Sequence, residues 1–469
     1  MFSFTRRLFS TKPNNVGRQI ISSTPTLSPT ALQVAPTQVT TLDNGVRVVS
    51  EERRGETASV GVFIKAGSRN ESKANNGVAH FLEHMYFKGT SRRSGKDLEV
   101  EYENAGAFLN GHTAREYTAF TSHCLSSDLE RSVDSLSDIL LHSKFDPVLI
   151  ERERSTILHE YEQVNQSIEE VLFDKLHERA FPKSSLGYTI LGPEENIKNL
   201  TRIDMMDFRD RYYTGNRMVV AGVGNIDHEE LVEIAQKKFE SVPRGDSTFT
   251  DSAPAEFLGG DYIHSNDDIP LFHCCVGFEG PSIRDNDILV LNLIQLLCGH
   301  YDRSMGAGRY VSSPLCRRIA ELGLARSVTP FNHAYTDRGL FGLHLVGDGG
   351  EDTQWLLLEA VGGIVKLGHS LTQPQLARVK NLLKAQLLTQ TEGNLDNVVE
   401  EVGRQVLFYD RRVSPAEFVD RIDQITVEDV QRVIDQYVFD KEPVVAAIGN
   451  TFNYPDYSWV RSFTSTWKY

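Results

Sequence analysis

The order of apolar and polar positions predicts short strands and amphipathic helices in alternation along most of the chain. Two apolar runs with the two-residue period of half-buried strands, GVRVVSEE and SVGVFIKAG, follow each other closely near the N-terminal end. Helical patterns come next, then FLNGHTAREYTAFTSHC, which is typical of a single strand, and then further helical patterns. This mixture predicts an α+β fold in which helices cover one face of a mainly antiparallel sheet.

One helix–strand unit occurs twice. The segments LTRIDMMDFRDRYYTGNRMVVAGVGN and ITVEDVQRVIDQYVFDKEPVVAAIGN align without a gap, so that Thr201 corresponds to Thr426 and the final Gly-Asn pairs coincide. Each copy predicts a helix with threonine as N-cap and an acidic residue in its first turn, followed by a short buried strand. The duplication predicts two α/β halves of the same design. We expect these halves to face each other around a cleft.

The predicted halves comprise residues 43–245 and 256–469. A polar linker at 246–255 joins them, and the stretch around it is rich in Gly, Pro and Ser. Residues 1–42 differ in kind, because they contain no acidic residue and interleave arginine with serine, threonine and bulky apolar residues. This composition is typical of a mitochondrial transit peptide followed by an extended linker, with a disordered tail as the alternative. The segment is expected to lie outside the fold.

Composition narrows the class of protein. A chain of 469 residues with 40% hydrophobic and 24% charged residues has the size of two ordinary globular domains. The net charge of −15 argues against a nucleic-acid partner and favours a basic partner or substrate, although simple solubility also explains it. No long apolar run occurs, so no transmembrane span is expected. Five cysteines without a CxxC pair argue against a disulfide framework and against a cysteine zinc site.

The stretch VAHFLEHMYFKGT, residues 78–90, contains two histidines four residues apart. On a helix such residues lie on one face, so His80 and His84 can present two imidazoles to one zinc ion. Glu83 can face the same ion without binding it and act as general base, which is the inverted HxxEH arrangement of zinc peptidases. The alternative is a solvated helix face that happens to carry histidines, so the hypothesis needs a third ligand.

A third ligand is available in ERERSTILHEYEQV. Glu153 and Glu160 are seven residues apart, two helical turns, and therefore share a face. We expect Glu160 to complete the site for one Zn²⁺ per chain, and Glu153 to orient a ligand histidine from outside the ligand set. Taken alone, an acid-rich helix of this kind is more often a solvated surface.

Several segments resemble the pitrilysin-type metallopeptidases, a family with members that process mitochondrial presequences. The resemblance is carried by HFLEHMYFKGT, ERERSTILHEYEQV, EEVLFDKLHERAF and LGYTILGPEENI and extends over nearly all of the chain after the predicted transit peptide. It implies zinc bound by His80, His84 and Glu160, with Glu83 and Glu153 as further active-site residues. It also implies a presequence endopeptidase of the mitochondrial matrix, working as the catalytic beta subunit of a heterodimer with an inactive alpha subunit.

The resemblance also implies where a basic presequence peptide binds. Glu170 and Asp174 match acidic residues that bind the arginine before the cleaved bond, and their spacing lets both meet one cation. Phe87 matches an apolar position near the residue after the cut. An edge strand is expected to add the extended peptide by main-chain hydrogen bonds through Asn110, Gly111 and Thr113.

Some positions depart from the family pattern. Tyr86 stands where relatives carry a small residue and is expected to crowd the apolar subsite, and His112 replaces a tyrosine. Arg326 occupies a position where many relatives have a tyrosine from the second half, so no catalytic group is expected there. The second half has no HxxEH motif in VLNLIQLLCGHYDR and is expected to close the chamber without binding metal.

Two other functions remain open. Relatives also serve as core subunits of ubiquinol–cytochrome c reductase on the matrix face of the inner membrane, often with altered zinc motifs, and one protein can perform both roles. The intact His80, Glu83, His84 and Glu160 favour retained catalysis. The third hypothesis is a peptidase of broad specificity, which should cleave peptides equally well with and without arginine.

Overall fold

The computed structural model describes residues 36–246, 253–306 and 310–465. Most of the predicted transit peptide and most of the predicted linker lie outside these described residues. Within them, no helix combines the length and the apolar character that a membrane crossing requires.

The first half contains a six-stranded sheet in the order β1-β2-β6-β3-β5-β4. Its strands are β1 (Gln38–Thr41), β2 (Arg47–Glu52), β3 (Thr57–Ile64), β4 (Phe108–Thr113), β5 (Thr118–Leu125) and β6 (Met218–Gly224). Its helices are α1 (Val78–Tyr86), α2 (Gly95–Ala105), α3 (Leu129–His142), α4 (Pro147–Gln166), α5 (Ile168–Ala180), α6 (Glu194–Asn199), α7 (Arg202–Tyr212) and α8 (His228–Phe239). Strands β2 and β6 are parallel, and every other neighbouring pair is antiparallel.

The second half contains a six-stranded sheet in the order β7-β12-β8-β11-β10-β9. Its strands are β7 (Gly260–Ser265), β8 (Phe272–Gly280), β9 (Tyr301–Asp302), β10 (Ser327–Ala334), β11 (Gly339–Gly347) and β12 (Val444–Gly449). Its helices are α9 (Asp287–Cys298), α10 (Pro314–Leu322), α11 (Asp352–His369), α12 (Gln373–Gly393), α13 (Leu395–Tyr409), α14 (Pro415–Gln424), α15 (Val427–Tyr437) and α16 (Tyr457–Phe463). Strands β7 and β12 are parallel, and the other neighbours are antiparallel.

The predicted fold class is confirmed. Strand β6 lies between a parallel and an antiparallel neighbour, and β12, its counterpart in the repeat, has the same two kinds of neighbour. The helix before each strand begins with a capping box, Thr201 with Asp204 in α7 and Thr426 with Asp429 in α15. The repeated residues therefore have the same local role in both halves.

The halves exchange one helix each. Helix α13 of the second half packs on β3 and β6 of the first sheet, and helix α5 of the first half packs on β7, β8 and β12 of the second sheet. Close packing of α13 depends on Gly403, because a Cβ there would overlap the ring of the fully buried Phe63. Each sheet is thus covered on its second face by the other half, which the sequence analysis did not predict.

Two local predictions differ from the structure. The segment interpreted as one strand is a hairpin of β4 and β5, with the turn Ala114–Tyr117 between them. No Gly, Pro or Asn marks this turn, so the sequence carried no signal for it. Strand β1 lies inside the segment assigned to the N-terminal linker, because its backbone pairs with β2 at the edge of the sheet.

Candidate metal centre

Helix α1 is held at its N-terminus by a buried carboxylate. Gly77 precedes the helix with a φ of 103° and offers no side-chain cap. Glu71 takes over this role, because its carboxylate accepts hydrogen bonds from the backbone N–H groups of Gly77 and Ala79, both at 2.8 Å. Burial raises the pKa of Glu71 to about 8, although the hydrogen bonds from Ala79, Asn76 and Gly77 act against this rise. Glu71 was not identified from the sequence, because it lies outside the helix it caps.

The three predicted ligand side chains meet between α1 and α4. The Nε2 atoms of His80 and His84 lie 3.6 Å and 3.3 Å from carboxylate oxygens of Glu160. One ligand atom of each residue lies within 4.8 Å of those of the other two. In the part of the chain that the structure describes, no other three His, Cys, Asp or Glu side chains form such a group.

This geometry fits a zinc ion. Zinc binds imidazole nitrogen and carboxylate oxygen at about 2.0–2.2 Å in a tetrahedron, which separates the ligand atoms by about 3.3 Å. The two nitrogen–oxygen distances are close to that value. Three protein ligands leave the fourth position to water or substrate, as in catalytic zinc sites.

Glu153 lies behind the ligand His84 and not among the ligands. Its Oε1 is 2.9 Å from Nδ1 of His84, and its Oε2 is 2.9 Å from Nζ of Lys88. The first contact places a proton of His84 on Nδ1 and turns Nε2 toward the site. His80 has no such support, because its Nδ1 is buried without a hydrogen-bond partner among the described residues.

The acidic residues control the charge of the site. Burial opposes protonation of His84, but the hydrogen bonds with Glu153 and Glu160 outweigh it and raise the pKa of the imidazole to about 9. Burial and the neighbouring His84 lower the pKa of His80. The hydrogen bond with His84 lowers the pKa of Glu160. Two histidines thus share a strongly anionic surrounding that suits a bound cation.

Glu83 lies on the side of α1 that faces the edge strand β4. A Cβ at Gly111 of β4 would lie 3.1 Å from Cγ of Glu83 and 2.9 Å from the ring of Phe87. Among the described residues, Glu83 has neither a hydrogen-bond nor an ion-pair partner, so its carboxylate is available for proton transfer. The glycine lets the strand approach both side chains.

Strand β4 is an edge strand, with β5 as its one strand neighbour in the part of the chain that the structure describes. Asn110 and Gly111 pair with Thr121 and Phe120 of β5, which leaves the outer backbone groups of β4 without a strand partner. An extended peptide can add to such an edge through main-chain hydrogen bonds. Thr113 is buried at the end of the strand, so its side chain is not accessible to a peptide and only its backbone is available.

The two acidic residues predicted to bind the substrate arginine have different surroundings on α5. Glu170 is exposed, whereas Asp174 is half-buried and its Oδ1 accepts a hydrogen bond from Nη2 of Arg115 at 2.7 Å. Burial raises the pKa of Asp174 although Arg115 acts against it. Asp174 therefore has a cation of this chain beside it, and no sequence pattern predicted that pairing.

Three positions that depart from the family pattern have different surroundings. Tyr86 is fully buried and packs against Phe120, Phe145 and Tyr213. It therefore belongs to the core, whereas the sequence analysis expected it to crowd the apolar subsite. The rings of Tyr86 and Phe87 both contact the ring of Phe120. His112 is exposed on β4. Arg326 forms an ion pair with Asp348 at 2.6 Å.

Comparisons with known proteins define the family. Residues 47–194 match the model of the insulinase family, peptidase family M16, and residues 199–383 match the model of the inactive domain of M16 peptidases. The chain belongs to peptidase family M16. It is a metallopeptidase, and this class implies a divalent metal ion.

The relatives are more specific. The chain is 41% identical to the mitochondrial-processing peptidase subunit beta of Blastocladiella emersonii, with 100% of both chains covered. It is 40% identical to the subunit of the same name from Mus musculus, covering 98% of this chain and 95% of the other. These full-length relatives are mitochondrial proteins, and so is this chain.

Solved structures support the fold. A chain of complex III2 from Candida albicans superposes with a TM-score of 0.82 at 21% identity, covering 91% of this chain and 99% of that one. A protease from Helicobacter pylori superposes with a TM-score of 0.79 at 22% identity, covering 89% and 100%. At such identities the likeness concerns the architecture of the two halves.

Proposed function

We propose that the chain is a zinc endopeptidase that removes N-terminal presequences from proteins imported into mitochondria. The observation that supports this most directly is the convergence of His80, His84 and Glu160 beside an unpaired Glu83. The relatives named mitochondrial-processing peptidase subunit beta support the choice of substrate.

In this proposal the residues divide the work. His80, His84 and Glu160 would hold the zinc ion, and Glu153 fixes the orientation of His84. Zinc bound there supplies a Lewis acid that activates water and polarises the scissile carbonyl. The Glu83 carboxylate accepts the proton of the attacking water and returns it to the leaving amine. Strand β4 aligns the peptide bond beside Glu83.

Charge complements the substrate in this proposal. Presequences are basic and lack acidic residues, and the chain carries a net charge of −15. The exposed Glu170 offers its carboxylate to an arginine before the cut, with Asp174 and its Arg115 partner one turn further along α5. The words "subunit beta" in the names of the relatives support a partner subunit, which in this proposal is an alpha subunit in the mitochondrial matrix.

The decisive experiment uses the protein purified with its native partners. We expect one zinc per chain by mass spectrometry of metals, and cleavage of a presequence peptide that contains arginine before the cut. Glu83→Gln should reduce cleavage by about 10²–10⁴-fold with zinc retained. Glu99→Gln, on the exposed face of α2, is the matched control and should remain active. Absence of zinc, or full activity of Glu83→Gln, would contradict the proposal.

The second candidate function is that of a structural subunit in the respiratory ubiquinol–cytochrome c reductase. The superposition with a chain of complex III2 supports the shape that such a role requires. Purification of the native protein separates the two functions: stoichiometric cytochromes with no cleavage would favour the structural role, and cleavage together with cytochromes would indicate both. Equal cleavage of peptides with and without arginine would indicate a broad peptidase.

A further inference from the structure

The turn between β4 and β5 sends three consecutive side chains to three different elements. We name it the anchor turn, Ala114–Tyr117. Its backbone is closed by a hydrogen bond from Ala114 N to Tyr117 O at 2.8 Å. Arg115 reaches Asp174 on α5, as described above. The next two residues both reach the second half of the chain.

Glu116 is buried at the junction of the two halves. Its carboxylate accepts hydrogen bonds from the Thr336 hydroxyl at 2.6 Å and from the Thr336 backbone N–H at 2.9 Å. Nη1 of Arg69 donates to the same carboxylate at 2.6 Å. Arg69 in turn makes a two-pronged ion pair with Asp337, at 2.7 Å and 2.6 Å. Thr336 and Asp337 form the turn between β10 and β11, the counterpart of the anchor turn.

Tyr117 makes the other contact with the second half. Its hydroxyl donates to Oε1 of Glu400 on α13 at 3.0 Å. The guanidinium of Arg404 lies 5.2 Å from the centre of its ring, and the Phe408 ring packs edge-on at 6.0 Å. The side chain is 7% exposed. One face of the anchor turn is therefore held by α13, the helix that the second half contributes to the first sheet.

These contacts matter because β4 is attached on one side only. Among the described residues its outer edge has no strand neighbour, so its position depends on β5, on α1 and α2, which pack against it, and on the anchor turn at its end. Much of the anchoring of that turn comes from Thr336, Glu400 and Arg404, which all belong to the half without a metal site.

We propose that the second half positions the peptide-binding strand β4 through Glu116 and Tyr117 of the anchor turn. Thr336 and Glu400 act as positioning residues, because they act through Glu116 and Tyr117 and do not belong to the group of metal-ligand side chains. The inference rests on the proposed function, in which the substrate peptide adds to β4. It assigns to the metal-free half a part in substrate binding at a distance.

Two conservative variants test the inference in the full-length protein with its partners. Tyr117→Phe removes the hydroxyl bond to Glu400 and keeps the ring. Thr336→Val removes the hydroxyl bond to Glu116 and the one accepted from Nη1 of Arg69 at 3.2 Å, and it keeps the backbone bond to Glu116. Tyr457→Phe, on α16 of the second half, is the control, because it removes a tyrosine–glutamate bond, to Glu442 at 2.8 Å, together with the hydroxyl contacts to the Pro443 carbonyl and the Gly260 N–H.

Each test variant should raise KM for an arginine-bearing presequence peptide about three- to tenfold, the effect of one or two lost hydrogen bonds. The value of kcat should stay within about twofold, because main-chain pairing holds substrate and transition state alike. Zinc content should remain one per chain. Hydrogen exchange of the β4 amides should accelerate several-fold, whereas the control should match the wild type in every measurement.

Unchanged KM and unchanged exchange in β4 would overturn the inference. Loss of zinc, or faster exchange spread over the whole first half, would also overturn it, because that result indicates a general stabilising role. If the wild type cleaves no presequence peptide, the proposed function fails and exchange alone decides: acceleration confined to β4 supports positioning, and its absence refutes it.

Discussion

The Nδ1 atom of His84 lies 2.9 Å from Oε1 of Glu153, and this contact joins the metal-binding helix α1 to helix α4. The other oxygen of Glu153 is 2.9 Å from Nζ of Lys88, one turn after His84 on the chain. Burial raises the pKa of Glu153, but the hydrogen bonds to His84 and Lys88 outweigh it and lower the pKa. The ammonium group thus helps to keep Glu153 ionised and oriented.

Lys88→Met should therefore weaken zinc binding about tenfold or more, the usual effect of losing an outer partner of a ligand histidine. Competition with a chelator of known affinity measures the dissociation constant. Lys198→Met is the control, because Lys198 pairs with exposed Glu194 at 2.6 Å, away from the site. Zinc affinity equal to that of the wild type would show that Lys88 has no part in the metal centre.

The unequal surroundings of Glu170 and Asp174 predict different phenotypes. Glu170→Gln should raise KM for peptides with arginine before the cut and leave urea stability unchanged, because the carboxylate is exposed. Asp174→Asn should lower the free energy of unfolding by about 1–3 kcal/mol, because the guanidinium of Arg115 loses its charged partner in a largely buried position. A norleucine peptide serves as control for the arginine effect. Identical stability of both variants would contradict the assignment.

The imidazole of His177 predicts a pH dependence of stability. Its Nδ1–H donates to the carbonyl of Phe173 and its Nε2 accepts from the Tyr335 hydroxyl, both at 2.7 Å, so the ring is satisfied in the neutral form. Burial, assisted by Arg115, lowers the pKa of His177 well below 6.5. The unfolded chain therefore takes up a proton that the folded chain refuses, and unfolding becomes easier as the pH falls below about 6.5.

In His177→Asn, the free energy of unfolding should therefore depend less steeply on pH, with a slope lower by about 1.4 kcal/mol per pH unit below pH 6.5. Urea unfolding at several pH values from 7.5 downward measures the slope. His264→Asn, at an exposed position on β7, should keep the slope of the wild type. The prediction fails if both variants show the same pH dependence.

The exchanged helix α13 predicts a packing effect at Gly403. Alanine there would place a methyl group against the Phe63 ring, within 2.7 Å of its Cγ. Overpacking should cost about 1–3 kcal/mol, which exceeds the gain in helix propensity of about 1 kcal/mol. Gly363→Ala in α11 is the comparison, because its new methyl meets the end of the flexible Leu315 side chain. Stability equal to or above that of the wild type would refute the packing argument.

The sequence alone predicted the features that depend on regular local geometry. The four-residue spacing of His80 and His84 places both on one helix face, and the spacing of Glu153 and Glu160 does the same on α4. The capping boxes at Thr201 and Thr426 are equally local, and the repeated segment indicated two halves of one design. The roles of the site residues remain predictions for the experiments above.

Other features depend on contacts between segments far apart in the chain, and no local pattern encodes them. Glu71 caps α1 from outside the helix, Arg115 pairs with Asp174, and Tyr86 turns into the core although it adjoins the metal site. The exchange of α5 and α13 belongs to the same group, because an apolar helix face indicates burial without naming the sheet that buries it. Periodicity determined which side chains share a face; only packing decided which partner each face would meet.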